Sequence, residues 1–392
     1  MHPFIKSISL QNFLSFGAEA QTLALRPLNV LIGPNGSGKS NFLEAFDLLR
    51  AAPDDFMKPI REGGGTMEWL WKGTSETPTA KIAATLSNPK GVQSLVYSLA
   101  FTATGQRFEL IDERIENEKP HGEKAIPLSY YQFNGGKPLL RPHKTTAKEV
   151  TPGGFDCERS ILAQRRDPDR YPVVTYMGDA FAAMRLYREW SLGRNTAPRK
   201  PQSTDMPNAH LLTDCSNLAL VLNYLQRDPI IKSAIVQALH DFSAGFVDYH
   251  VQFEGGTVQI FFHEKSRSRG IPATRLSDGT LRFLCLLAVL LHPSPPPLVC
   301  IEEPELGMHP DVLPTIANLL REASTRTQII ATTHSDILID ALTETPDSVV
   351  VCERHEQGTH MKRLNKETIA PFLEGYRLGQ LWLSGELGGT RW

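Results

Sequence analysis

Apolar and polar positions change period several times along the chain. Residues 4–32 read as strands: "FIKSISL" roughly alternates, and "LNVLI" is a short unbroken apolar run of the kind buried on both faces. Phe42, Leu43, Phe46 and Leu49 then recur at helical spacing in "SNFLEAFDLLR". From about 66 to 140 β-like segments return, "AKIAATLSN", "SLVYSLAFTAT" and "FELIDERI", separated by turn residues. Between about 158 and 240 the pattern is helical but broken, with prolines at 168, 172, 198, 201, 207 and 229. "YHVQFEGGTVQIFFHE" predicts a hairpin turning at Gly255 and Gly256. After it come the buried helix "LRFLCLLAVLL", the strand "LVCI", a helix near 310–323 and the strand "QIIATT". That order predicts an α/β unit with a parallel sheet.

Composition changes this picture little. With 392 residues, 41% hydrophobic and 21% charged, the chain has the make-up of an ordinary globular protein and length for one large domain or two to three smaller ones. A net charge of −2 excludes a generally basic coat, though not a local patch. The five cysteines (Cys157, Cys215, Cys285, Cys300, Cys352) never form a CxxC pair and read as buried thiols in a reducing compartment. The N-terminal "MHPFIKSISL" does not read as a signal peptide, and no run reaches about 18 apolar residues. The expectation is a cytoplasmic protein that does not cross a membrane.

The chemistry starts at "GPNGSGKS", residues 33–40, which fits G-x-x-x-x-G-K-[ST] in full. An apolar strand precedes it and a helix starts at its Lys-Ser. Glycines let backbone N–H groups of Gly33, Pro34's neighbour Asn35, Gly36, Ser37 and Gly38 converge on an anion, and the helix start at Lys39, Ser40 and Asn41 adds its positive dipole end. Lys39 supplies a point charge for the β- and γ-phosphates, and Ser40 a hydroxyl for Mg²⁺.

Three later segments have polar ends on apolar elements. "PLVCIEEPE" places Glu302 and Glu303 at the end of a strand, where ligands of open α/β sheets bind, and neighbours on a strand point to opposite faces. The competing reading is a surface acidic turn before Pro304. About thirty residues on, roughly one βαβ unit, "QIIATTHSD" sets His334 at the tip of another strand, where it either faces the γ-phosphate or is a structural histidine with Ser335 or Asp336 merely capping the next helix; the strand spacing favours the first. "RLSDGTLRFL" puts Ser277, Asp278 and Gly279 at the start of an apolar helix, either as a cap alone or as a second phosphate-binding turn.

The P-loop, "LSDGT", "IEEPE" and "THS", in that order, resemble ABC-type ATPases of the RecF/SMC branch, most of all its stand-alone bacterial members. Those often end much as "YRLGQLWLSGELGG" does here. The resemblance implies an α/β P-loop NTPase with an ABC-type head: a parallel sheet core, an antiparallel β-subdomain and an inserted helical lid. More than two hundred residues separate the P-loop from "LSDGT", which suits such a head and not a transporter ATPase. The expected divisions are 1–50 (N-terminal strands and P-loop), 51–150 (β-subdomain), 151–240 (lid), 241–360 (signature, acidic strand and switch histidine) and 361–392 (a tail packing on the head).

The resemblance implies ATP and Mg²⁺ as cofactors and a homodimer, or higher homo-oligomer, closed head-to-tail around ATP. It assigns Glu302 and Ser40 to the metal, Glu303 to the attacking water, and Ser277, Asp278 and Gly279 to the partner's γ-phosphate. Asp278 departs from the glycine of the commoner LSGGQ. Gln164 in "SILAQRRDP" is the candidate for a glutamine reaching Mg²⁺ from the base of the lid. Phe13 and Phe16 in "NFLSF" either contact adenine or belong to the core.

The expected activity is ATP hydrolysis acting as a switch. Its setting is either a DNA-associated process, repair or antiphage defence with an effector nuclease or toxin on another chain, or a protein-interaction clamp in which DNA plays no part. Too little sequence follows His334 for a fused Toprim domain, and no heptads or CxxC indicate coiled-coil arms or a zinc hook. The basic stretch "RLYREWSLGRNTAPRK" carries Arg185, Arg188, Arg194, Arg199 and Lys200, either as a contact to double-stranded DNA or as a solvated helix face.

Overall fold

The computed structural model describes every residue except 1–2, 90, 121–125, 135–137, 144–148, 151–154, 157 and 389–392. The chain divides into two compact units, Met1–Met184 with Asp347–Ile369 and Ser384–Trp392, and Arg185–Pro346 with Ala370–Leu383. The segment 151–240 contributes residues to both.

In the first unit an antiparallel sheet of eight strands starts from Gln21–Ala24 and Ile5–Gln11 and continues through Ala80–Leu86, Leu95–Thr104, Arg107–Asn117 and Ser129–Asn134. Its register sets Leu10 opposite Ile82 and Ile8 opposite Ala84, so one face is apolar and closed. Leu28–Ile32 is buried at all five positions and pairs in parallel with Val349–His355, which pairs antiparallel with Gly358–Arg363. A strand closed on both faces carries apolar residues on both, which is why "LNVLI" shows no alternation; its buried Asn29 is hydrogen-bonded to the Arg26 backbone.

The second unit holds three parallel strands, Arg185–Tyr187, Leu298–Glu302 and Gln328–Thr332, with Leu186 opposite Cys300 and Glu302 opposite Thr332. The helix Asp278–Leu290 is buried at every position from Leu281 to Leu290, as its apolar run requires, with Arg282 as the one charged residue in it. The hairpin Phe246–Glu254 and Thr257–Glu264 turns at Gly255 (φ 52°) and Gly256 (φ 77°), where two positive φ values match the strand twist.

Residues 185–200 depart from the helix face weighed above. They begin as a parallel strand, continue without regular structure into a turn at 193–196, and reach the short 3₁₀ turn Ala197–Arg199. Three strand residues are too few to show a period. Cys215, Cys285, Cys300 and Cys352 are buried and unpaired with one another in disulfides, as expected; Cys157 lies outside the described residues. Among the described residues no helix is long and apolar enough to cross a membrane.

Candidate nucleotide site

In the first unit, the chain leaves Leu28–Ile32, turns through residues 33–38 and enters the helix Lys39–Ala51. Two turn positions admit only glycine. A Cβ on Gly33 (φ 147°) would lie 2.2 Å from the Cys352 carbonyl oxygen, and one on Gly38 (φ 102°) 2.2 Å from Thr359 Oγ1. Asn35, Gly36 and Ser40 are exposed at the rim, Pro34 and Asn41 half-buried, and Ser37 and Lys39 buried. Lys39 Nζ donates to the carbonyls of Gly33 (2.8 Å) and Pro34 (3.0 Å) and lies 3.5 Å from Ser37 Oγ. The ammonium is thus folded over its own loop.

The back of the loop is fixed by residues the sequence did not single out. Thr359 donates its hydroxyl to the Ser37 carbonyl (3.1 Å) and sits 2.7 Å from Ser15 Oγ, while its N–H bonds the Ser15 carbonyl (2.8 Å). Phe13 and Phe16, beside Ser15, are fully buried; Phe13 meets Trp69 edge-on and Phe16 packs near Phe42. They are core residues and offer no face to adenine. Gln164 bonds within its own loop. Its amide accepts from Asp156 N (3.0 Å) and donates to the carbonyls of Asp156 (3.0 Å) and Arg159 (2.7 Å), bracing its own loop.

In the second unit the acidic strand end and the histidine strand end lie together. Glu302 closes Leu298–Glu302, with its carboxylate 3.0 Å from Arg188 Nε and its carbonyl accepting from Trp190 Nε1 (3.1 Å). Glu303 has φ 46°, an uncommon region for a non-glycine, and its N–H bonds the carbonyl and hydroxyl oxygens of Thr332 (both 3.2 Å). The Glu303 carboxylate lies 3.6 Å from His334 Nε2. Both side chains are about one-third exposed, at 38% and 33%.

Glu305 is the residue the sequence reading missed. Its Oε1 accepts from the Thr333 hydroxyl (2.7 Å) and the His334 N–H (2.9 Å), tying the turn after the acidic strand to the histidine backbone. Its Oε2 is buried without a hydrogen-bond partner, and burial pushes its carboxyl above the usual range. The only signal was a third acid in "EEPE". Ser335 caps the helix Asp336–Asp340, accepting from Leu338 N.

Ser277 caps the helix Asp278–Leu290, its Oγ accepting from Thr280 N (3.1 Å). Gly279 packs against the turn that follows "IEEPE": a Cβ there would lie 2.7 Å from the Gly307 carbonyl oxygen. The Asp278 carboxylate is exposed and paired with Arg199, which is itself buried. Two of the five cations of the basic stretch, Arg188 and Arg199, therefore bind within the protein; Arg194 and Lys200 remain exposed.

Residues 28–340 match the family model described as "AAA domain, putative AbiEii toxin, Type IV TA system". Over 99 residues the chain is 33% identical to the chromosome partition protein Smc of Mycolicibacterium paratuberculosis; that stretch is 24% of this chain and only 8% of that protein's length. Among solved structures, the Smc head bound to the C-terminal winged-helix domain of ScpA superposes with TM-score 0.60 at 14% identity, covering 93% of this chain and 99% of that one. A Pyrococcus furiosus Smc head with an extended coiled coil, bound to the C-terminal domain of ScpA, gives 0.59 at 13%, covering 95% and 99%. At such identities the likeness is one of fold.

Proposed function

The chain belongs to this AAA-domain family and has the ATPase head fold of the ABC/SMC type, and from that premise we propose that it hydrolyses ATP and dimerises on it as a nucleotide switch. The observation that carries the reading is the Glu303–His334 pair, set at the ends of adjacent parallel strands by a left-handed residue and two backbone bonds. An acid and a histidine so placed suit the positioning of water against a phosphoryl group.

The residues fit the nucleotide. Turn glycines with positive φ, a thirteen-residue helix starting at Lys39 and an ammonium bonded to the carbonyls of its own loop make a phosphate cradle. Lys39 exchanges the Gly33 and Pro34 carbonyls for β- and γ-phosphate oxygens, and Asn35, Gly36, Ser37, Gly38 and Asn41 surround them. Ser40 and Glu302 would hold Mg²⁺, which neutralises phosphate charge when bound. Glu303 orients the water, and His334 reads the γ-phosphate. Ser277, Asp278 and Gly279 complete the partner's site, so that nucleotide closes the homodimer and hydrolysis opens it.

We place this switch in a DNA-associated setting, repair or antiphage defence, with the effector on a separate chain. The inward binding of Arg188 and Arg199 favours a second reading, a clamp on a protein partner with no direct DNA contact. Both Smc heads named above were solved bound to a ScpA domain, which makes a protein partner a natural counterpart. Steady-state phosphate release with and without linear duplex DNA, blanked with Glu303→Gln, separates the two. Stimulation by DNA supports the DNA-associated reading, and turnover indifferent to DNA supports the clamp. No turnover in either condition, with no ATP bound, overturns the ATPase reading.

A further inference from the structure

The turn "LSDGT" carries a charge problem. Asp278 adds a carboxylate at the first position of the helix, the position from which Ser277 and Gly279 are proposed to meet a partner's triphosphate. An uncompensated carboxylate there repels the phosphates it should help to hold. The structure supplies a compensating group, and it is built in.

Arg199 is 5% exposed. Its Nε donates to the Leu192 carbonyl (2.7 Å), and its Nη1 donates to the Leu276 carbonyl (2.5 Å) and lies 3.5 Å from that of Ala273. Its Nη2 donates to the Asp278 carboxylate. One planar guanidinium thus grips the backbone on the N-terminal side of the turn and the acid on its C-terminal side. The Asp278 side chain is 70% exposed, whereas the guanidinium beneath it is 6% exposed. The charge is therefore cancelled from inside, leaving the outer surface of the turn open.

We propose that Arg199 is a positioning residue for the nucleotide-dependent dimer: it fixes the signature turn and neutralises Asp278, so that the turn can receive a partner's triphosphate. The inference rests on the proposed role of Ser277–Gly279. It gives the 192–200 segment a function other than nucleic-acid contact. Because the arginine holds both a backbone carbonyl and the carboxylate of the same turn, it acts on the charge and the shape of the turn together.

The test uses the full chain carrying Glu303→Gln, with the dimer measured by light scattering across a titration of Mg-ATP and single-chain ATP binding measured separately. Arg199→Gln should weaken ATP-induced dimerisation about tenfold while leaving single-chain ATP affinity unchanged. Adding Asp278→Asn to Arg199→Gln should restore dimerisation to within about threefold of the parent, since the repulsion it left behind is removed. A merely structural arginine gives no such rescue, so a double variant as weak as Arg199→Gln alone overturns the proposal. If Arg199→Gln does not fold, Arg199→Lys keeps the charge without the fork and should retain the dimer. A folded Arg199→Lys that fails to dimerise on Mg-ATP also overturns it. Failure of the parent chain, with Arg199 intact, to dimerise on ATP sinks the underlying reading instead and the inference with it.

Discussion

Glu303 and His334 face each other at 3.6 Å, carboxylate to imidazole, from the ends of neighbouring parallel strands. Neither is buried, and each is fixed through its backbone: Glu303 N–H by Thr332, His334 N–H by Glu305. The side chains thus face solvent while their main chains are held, the arrangement expected of groups that must meet a ligand.

Replacing Glu303 by glutamine keeps the size of the side chain and its backbone bonds and removes its capacity to accept a proton from water. Phosphate release should fall by about a hundredfold or more, with ATP affinity retained. Light scattering with Mg-ATP should then find a trapped dimer. A monomer under those conditions argues against the two-chain site.

Lys39 tests the other unit. Its ammonium has two carbonyl bonds that phosphate would replace, and alanine removes a charge-assisted partner of the triphosphate. ATP affinity of Lys39→Ala should fall by about a hundredfold, measured by calorimetry or a fluorescent analogue. Unchanged affinity would remove residues 33–40 from the site.

Much of this was readable from local pattern. Glycine spacing, the Ser277 cap and the two-glycine hairpin are each written within a few consecutive residues, and the folded chain realises them where expected. Pairing between distant residues has no such signature: Arg188 with Glu302, and Arg199 with Asp278, join segments separated by 114 and 79 positions. Glu113 shows how a pattern misleads. Read by alternation, "FELIDERI" puts it on a polar face, yet it is fully buried, bonding Tyr97 OH (2.7 Å), Ile161 N (3.0 Å) and the Ser160 hydroxyl. The strand bulges where Phe101 pairs Leu110 and Ala100 pairs Asp112, and the extra residue shifts the phase so that Glu113 turns inward.

Glu305 distinguishes support from chemistry. Alanine there deletes two hydrogen bonds worth about 1 kcal/mol each and frees the His334 backbone, so kcat should drop about tenfold with little change in KM. Glutamine keeps an oxygen acceptor for both bonds, and burial already favours the uncharged carboxyl, so Glu305→Gln should stay within about threefold of the parent. Equal losses in the two variants would mean that the charge of Glu305, not its grip on His334, is what matters.

The last prediction concerns acid stability and a second pair of rings. His210 and His292 lie 4.7 Å apart, with Tyr224 stacked on His292, and His292 Nδ1 accepts from Ser294 N (3.1 Å). Burial holds both imidazoles below the usual histidine range, and the neighbouring ring lowers His210 further. Their depressed affinity means that the unfolded chain binds protons the native state refuses. Stability is then fully present above the ordinary histidine pKa of about 6.5 and is lost as pH falls below it, until the native rings themselves titrate. His292→Gln keeps an acceptor for Ser294 without a titrating ring. Thermal unfolding of the parent should therefore lose more between pH 7.5 and pH 5.5 than that of His292→Gln. An equal or larger acid loss in the variant would place the sensitivity in other groups.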